Sequence, residues 1–290
     1  MIWIKDGDAF GRIISELHPL IKDGEPFLLD LLNKNMPGGW CPACENFTHF
    51  DTPEIGGSQW IDMRGQFLCG NCKLPARSRL LVGAIRECAH SLFHDTCSQK
   101  RALLFERVTP LYRYLKTQIH NLEGVEYLGV EKTPGETYDF RGVRIVHQDM
   151  TCTSYTDDSF DLLIHSDVLE HIGDFRSSLK DNHRILKPGG LLIFSAPIYN
   201  HKQHIEKAKI NAHGLVEAIG DAIYHGNPLT AAGSLVFNLF GYGILDDLAE
   251  AGFRDAAIGL NYSVIERLFS NGNKYYAVGN MWPIVVRGRK

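Results

Sequence analysis

The sequence has no run of about 18 apolar residues, which excludes a bilayer-crossing helix. It also lacks the basic start and apolar stretch of a secretory signal: it opens Met1-Ile2-Trp3-Ile4-Lys5-Asp6. The cytoplasm is therefore the expected compartment. Cysteines stay reduced there, so paired ones read as metal ligands rather than disulfides. Neither sign of charge is in large excess: Lys plus Arg is 30, Asp plus Glu is 34, and the formal net charge is −4. The balance holds locally, with ten basic against twelve acidic residues over 1–100 and twenty against twenty-two over 101–290. A dedicated nucleic-acid binder would carry a basic surplus. Internal repeats and low-complexity linkers are missing, and collagen-like and coiled-coil classes are excluded. What is present is 290 residues, 44% hydrophobic and 22% charged, enough for one large domain or two unequal ones around a sizeable core.

The texture changes along the chain. Residues 1–37 read as helical, with Phe10, Ile13, Ile14, Leu17 and Leu20 at helical spacing and a second cluster from Phe27 to Leu32. Residues 38–76 are rich in Gly, Cys, Pro and aromatics. Residues 77–100 return to a helical pattern. From 101 onward short apolar runs alternate with helical stretches: Ala102 to Phe105, Val125 to Val130, Val143 to Val146, Phe160 to Ile164 and Leu191 to Ala196. That alternation predicts βαβ units and a parallel sheet. Residues 199–234 interrupt the pattern without a clear strand and hold four of the thirteen histidines, so they read as an insertion. The runs at Ala256–Leu260 and Tyr275–Val286 predict a closing antiparallel pair at the sheet edge.

The four cysteines Cys41, Cys44, Cys69 and Cys72 form two CxxC knuckles with 24 residues between them. Each knuckle presents two thiolates to one tetrahedral ion, and four thiolates satisfy zinc. The spacing is that of a zinc ribbon. Its aromatics are too few for an independent core, so a structural metal is expected to hold it. Cys88, Cys97 and Cys152 read as isolated thiols. Lys73, Arg77, Arg79 and Arg86 form a stretch without acids, read either as a solvated helix face or as a weak RNA contact.

The strongest functional signal lies in two stretches, Asp157-Asp158-Ser159-Phe160-Asp161-Leu162-Leu163-Ile164-His165-Ser166-Asp167-Val168-Leu169-Glu170-His171-Ile172 and Arg184-Ile185-Leu186-Lys187-Pro188-Gly189-Gly190-Leu191. These resemble the class I S-adenosylmethionine-dependent methyltransferases of the type-11-like group. The resemblance implies an α/β fold: a Rossmann-like doubly wound sheet, mostly parallel with an antiparallel C-terminal edge, preceded here by a small helical and zinc-ribbon-like segment. It implies S-adenosylmethionine as cofactor. By position, Glu131 takes the ribose role, Asp149 and Met150 the adenine role, and His165, Ser166 and Leu169 lie along the cofactor. Phe105 and Glu106 stand at the first βα turn, where Glu106 meets the cofactor's ammonium. That turn departs from the family's glycine-rich pattern and reads Glu106-Arg107-Val108-Thr109-Pro110. His201 and His225 in the insertion are candidate bases. The reading ranked first is methyl transfer to a small molecule or glycan precursor. The alternatives are an RNA methyltransferase docking through the ribbon, and a non-catalytic binding module suggested by the altered first turn.

Overall fold

The short apolar runs build one nine-stranded sheet in the computed structural model, which describes residues 1–19, 21, 38–51, 63–93, 99–270 and 281–290. Its strands, numbered along the chain, are β1 (Ile2–Ile4), β2 (Ala102–Leu104), β3 (Leu122–Glu126), β4 (Thr137–Phe140), β5 (Val143–His147), β6 (Phe160–Ser166), β7 (Leu186–Ser195), β8 (Arg254–Leu260) and β9 (Ile284–Arg289). Their spatial order is β1-β8-β9-β7-β6-β2-β3-β5-β4. The five strands β7, β6, β2, β3 and β5 pair in parallel, and β4, β9 and β1 run antiparallel to their neighbours. Parallel strands are covered on both faces, which is why β2 and β6 read as near-continuous apolar runs.

Helices supply that cover. A helix over 7–19 (α1), Phe175–Ile185 (α4) and Ile244–Glu250 (α5) pack on one face through Phe10, Ile14, Phe175, Leu179, Ile244 and Leu248. Ala76–Ala89 (α2) and Pro110–Gln118 (α3) cover the other through Leu80, Leu81, Ile85, Leu111 and Leu115. The helix starts are written locally. Thr109 caps α3, accepting from Tyr112 N at 3.2 Å, with Pro110 in the first turn. Asp174 caps α4, accepting from Ser177 N at 3.0 Å. Gly252, at φ 102°, follows α5, where a side chain would be strained. Among the described residues, no helix is long and apolar enough to cross a membrane.

Three expectations are modified. Residues 2–4 do not precede a helix idly: β1 pairs with β8 and closes the sheet's outer edge. The antiparallel pair near the C-terminus forms, but β9 lies inside the sheet between β7 and β8. The insertion is not strand-poor. Ala208–Ile210 pairs with Val216–Ala218, and Tyr224–Asn227 with Thr230–Leu235. These strands are three to six residues long and mostly exposed, too short for their alternation to stand out in the sequence. The second helix expected at 27–32, Cys97 and the start of the run at 275 lie outside the described residues.

The cysteine segment forms a three-stranded sheet of Gly38–Cys41, Asn46–Asp51 and Leu68–Cys69. It is no detached module, because Cys41, Phe50 and Cys69 share one core with α2, α3 and the central strands. The seam is polar at its centre. Arg79, fully buried, donates to Glu266 O at 2.6 Å and Phe67 O at 3.2 Å, with its guanidinium over the Phe50 ring. Arg79→Ala would strand these carbonyls and leave a cavity. A loss of roughly 2–5 kcal/mol is expected, read as a lower urea midpoint at unchanged slope.

Candidate active site

Strands β2 and β6 are neighbours from which the chain departs in opposite directions, β2 toward β3 and β6 toward β7. In a doubly wound sheet that divergence opens a crevice at the strands' carboxyl ends. Phe105 follows β2, its N–H donating to Ile164 O at 3.1 Å. Next comes Glu106, whose Oε2 is buried with no hydrogen-bond partner. Burial pushes its carboxyl well above the usual carboxylate range; Arg77 opposes the rise, and Glu126, Asp167 and Glu170 add to it.

The glycine-free turn has its own support. Glu126 Oε1 accepts from the amides of Arg107 at 2.7 Å and Val108 at 3.0 Å. Glu126, not Glu131, ends the second strand. Glu131 lies beyond it in a turn, its side chain 64% exposed and paired with Lys132 at 3.8 Å. The sequence missed Glu126 because the run continues through Tyr127 to Val130 in apolar character while the pairing stops. The signal available was Leu122 and Val125 facing inward with an acid immediately after them.

At the end of β6, Asp167 sits at φ 53°, a conformation uncommon for a residue with a side chain. Its carboxylate accepts from Arg64 Nη2 at 2.7 Å and Ser195 Oγ at 3.0 Å, and Arg77 Nε stands at 3.6 Å. Burial alone would raise its pKa. Arg64 and Arg77 outweigh burial and hold it below the usual carboxylate range. Arg64 comes from the cysteine segment, so that segment reaches the crevice. Ser166 is buried beside Ser195, with the two hydroxyls 3.1 Å apart, and Leu169 is buried behind them. Asp149 follows β5, its Oδ1 accepting from Thr151 N at 2.8 Å, with Met150 buried next to it.

The two candidate histidines part company. His225 brings Nδ1 to 3.6 Å from the buried Glu170 Oε1. His201 turns back on its own loop, with Nδ1 at Gln203 O and its ring parallel to Tyr199. His204, from the same insertion, bonds Asp247 at 2.6 Å and belongs to the packing of α5.

The cysteines converge. Cys41 and Cys72 sulfurs are 3.9 Å apart, and those of Cys44 and Cys69 3.7 Å. Zinc–sulfur bonds of about 2.3 Å in a tetrahedron place sulfurs about 3.8 Å apart, so the donor set fits. The amides of Cys44 and Asn71 point at Cys41 and Cys69 sulfurs at 3.5 and 3.4 Å. A hydrogen bond from Cys72 brings the Cys41 thiol down to about 5, and burial pushes Cys44 up to about 12. Two side chains of the neighbouring basic stretch, Arg79 and Arg86, are turned inward. Arg79 is 0% and Arg86 7% exposed, Arg86 donates to Ala43 O and Glu45, and Arg77 faces Asp167. Neither a solvated helix face nor a basic docking face describes Arg79 and Arg86.

His165 is 0% exposed, stacked on Phe194 at 4.5 Å, and neither ring nitrogen has a partner. Burial brings its pKa down to about 3. The unfolded chain protonates this ring near 6.5, so it binds the extra proton and stability falls as pH drops from 6.5 toward 3. By pH 5 the loss is about 2 kcal/mol. His165→Phe is expected to flatten that slope, measured by urea unfolding at pH 7 and pH 5.

Residues 111–194 match the family described as a methyltransferase domain. A demethylmenaquinone methyltransferase of Staphylococcus epidermidis is 32% identical over 78 residues, 27% of this chain and 32% of that protein. The chain thus matches about a third of the length of its curated relatives. Among solved structures, an S-adenosylmethionine-dependent methyltransferase from Mesorhizobium loti is 17% identical, at a TM-score of 0.42, covering 73% of this chain and 98% of that one. The 1,6-didemethyltoxoflavin-N1-methyltransferase of Burkholderia thailandensis is 17% identical, at 0.35, covering 71% and 78%. On a Rossmann-like sheet with its crevice between β2 and β6, the segment that matches a methyltransferase domain runs from α3 to β7.

Proposed function

We propose that the chain is an S-adenosylmethionine-dependent methyltransferase with a small-molecule acceptor, and that its four cysteines hold a structural zinc ion. The observation that carries the first part is the buried, unpartnered carboxyl of Glu106 at the crevice, on which Glu126, Asp167 and Glu170 all bear. Such a site suits a ligand that brings positive charge. When bound, S-adenosylmethionine supplies a sulfonium methyl with a good leaving group already attached, plus a cationic ammonium. The chain's own work is then alignment and proton removal.

Glu106 receives the ammonium, which gives its buried oxygen a partner. Glu126 takes the ribose role earlier given to Glu131, using the oxygen that does not hold the turn. Asp149 keeps one oxygen for the adenine amino group, with Met150 beneath the ring. Ser166 and Leu169 line the path between them. The inward turn of Arg79 and Arg86 favours a small acceptor over RNA, since it removes two charges from the surface that RNA would use. The glycine-free turn does not favour the non-catalytic reading, because Glu126 fixes that backbone by another route.

Calorimetry with S-adenosylhomocysteine tests the cofactor. Binding is expected to strengthen with rising pH and to release a proton, because the ammonium stabilises the ionised form of a Glu106 whose pKa starts high. Glu106→Gln should weaken binding by roughly 10- to 100-fold and abolish the proton release. No heat with either cofactor form would sink the proposal.

For zinc, metal analysis should find one equivalent in the four-cysteine site. Cys44→Ser should lose most of it and lower the melting temperature, at roughly 2–4 °C per kcal/mol. Retention of the metal by Cys44→Ser and Cys72→Ser alike would refute the assignment.

A further inference from the structure

Glu170 is a buried acid that the cofactor roles above leave unused. Its side chain is 1% exposed, and neither carboxylate oxygen has a hydrogen bond. Two imidazoles converge on it: His171 Nε2 lies 3.8 Å and His225 Nδ1 3.6 Å from Oε1. All three ligand atoms fall within 4.8 Å of one another, and the two rings stand perpendicular at 5.0 Å.

The hydrogen bonding of His171 makes the cluster informative. Its Nδ1 is 2.8 Å from Leu235 O, a pure acceptor, so Nδ1 carries the proton. In the neutral ring Nε2 is then a lone pair aimed at a carboxylate. Two acceptors face each other in a buried place, an arrangement that calls for a cation between them. The outer support is in order too: a carbonyl bonded to the far nitrogen of a ligating histidine fixes ring orientation and raises donor strength. The same strand fixes the third donor. Thr230–Leu235 pairs with Tyr224–Asn227, His225 opposite Ser234, and the hairpin is tied down by the Leu235 bond and by Phe237 N donating to Glu170 O at 2.8 Å.

We infer that Glu170, His171 and His225 form a second metal site, for a divalent transition ion such as Mn2+, Fe2+ or Zn2+. One carboxylate and two imidazoles on one side of an ion leave its other positions open. Bonds of about 2.1 Å would set the donors about 3.0–3.4 Å apart, within a small adjustment of the distances observed. The open positions suit an oxygen of the methyl acceptor, whose hydroxyl proton a cation would make easier to remove. That last role rests on the methyl-transfer reading; the ion site itself does not.

Mn2+ is the probe, since thiolates compete poorly for it and the four-cysteine site stays apart. The full chain, loaded with a single equivalent of zinc so that the four-cysteine site alone is filled, is titrated with Mn2+ and the free-ion signal followed by electron paramagnetic resonance, with S-adenosylhomocysteine affinity measured on the same sample. One bound equivalent is expected in the unaltered chain and in His213→Ala, an exposed histidine of the same insertion. His225→Phe and Glu170→Gln should each weaken Mn2+ by at least about tenfold. Because Glu170 is buried and its variant is open to misfolding, His225→Phe decides, with zinc content and S-adenosylhomocysteine affinity held unchanged. Failure of the unaltered chain to bind Mn2+, or equal binding by His225→Phe, overturns the site even if S-adenosylhomocysteine binds. Mn2+ binding that follows His225 while S-adenosylhomocysteine gives no heat would uphold the site and sink the methyl-transfer reading.

Discussion

The Asp167 carboxylate joins parts of the chain that the sequence keeps a hundred residues apart. It follows β6, receives Ser195 from β7, and is clasped by Arg64 of the cysteine segment and Arg77 of α2. Its left-handed backbone turns the carboxylate toward these partners. An acid in so buried a place is unfavourable unless paired, and a buried pair leaves little latitude in position. The cysteine segment, the mouth of the crevice and α2 all meet at this one charge.

The seat of the cysteine segment obeys the same logic with the sign reversed. Arg79 is buried beside four sulfurs, and burial opposes its charge while Cys41, Cys69 and Cys72 favour it. With the proposed zinc bound, four thiolates around a dication would carry a net negative charge, and the guanidinium alongside would be a counter-charge as well as a tether. The four sulfurs and the crevice are therefore not separate. One helix, α2, carries Arg77 to the crevice acid and Arg79 to the seam with the cysteine segment.

Much of this was legible in the sequence, and what was not has physical reasons. The parallel core, the helices around it and the cysteine pairs announce themselves through periodicity and spacing, which are local properties. The acid ending the second strand was misplaced by five positions, because apolar character outlasts hydrogen bonding there. Arg79 and Arg86 were legible as charges but not as buried ones, since burial depends on carbonyls far along the chain, at Glu266 and Ala43. His225 was one of four histidines in a polar insertion. Only the pairing of its hairpin and the bond from His171 to Leu235 distinguish it.

The strand order has a consequence for how the molecule comes together. β9 fills the gap between β7 and β8, and β1 pairs with β8, more than 250 residues later in the chain. Contacts of such sequence separation form late and slowly. The half of the sheet holding the crevice strands β2, β3, β5 and β6 can assemble while the chain is still being made. The other half waits for residues 254–289, and until they arrive β7 exposes an open edge. Until then β7 offers other chains an edge that the complete sheet covers.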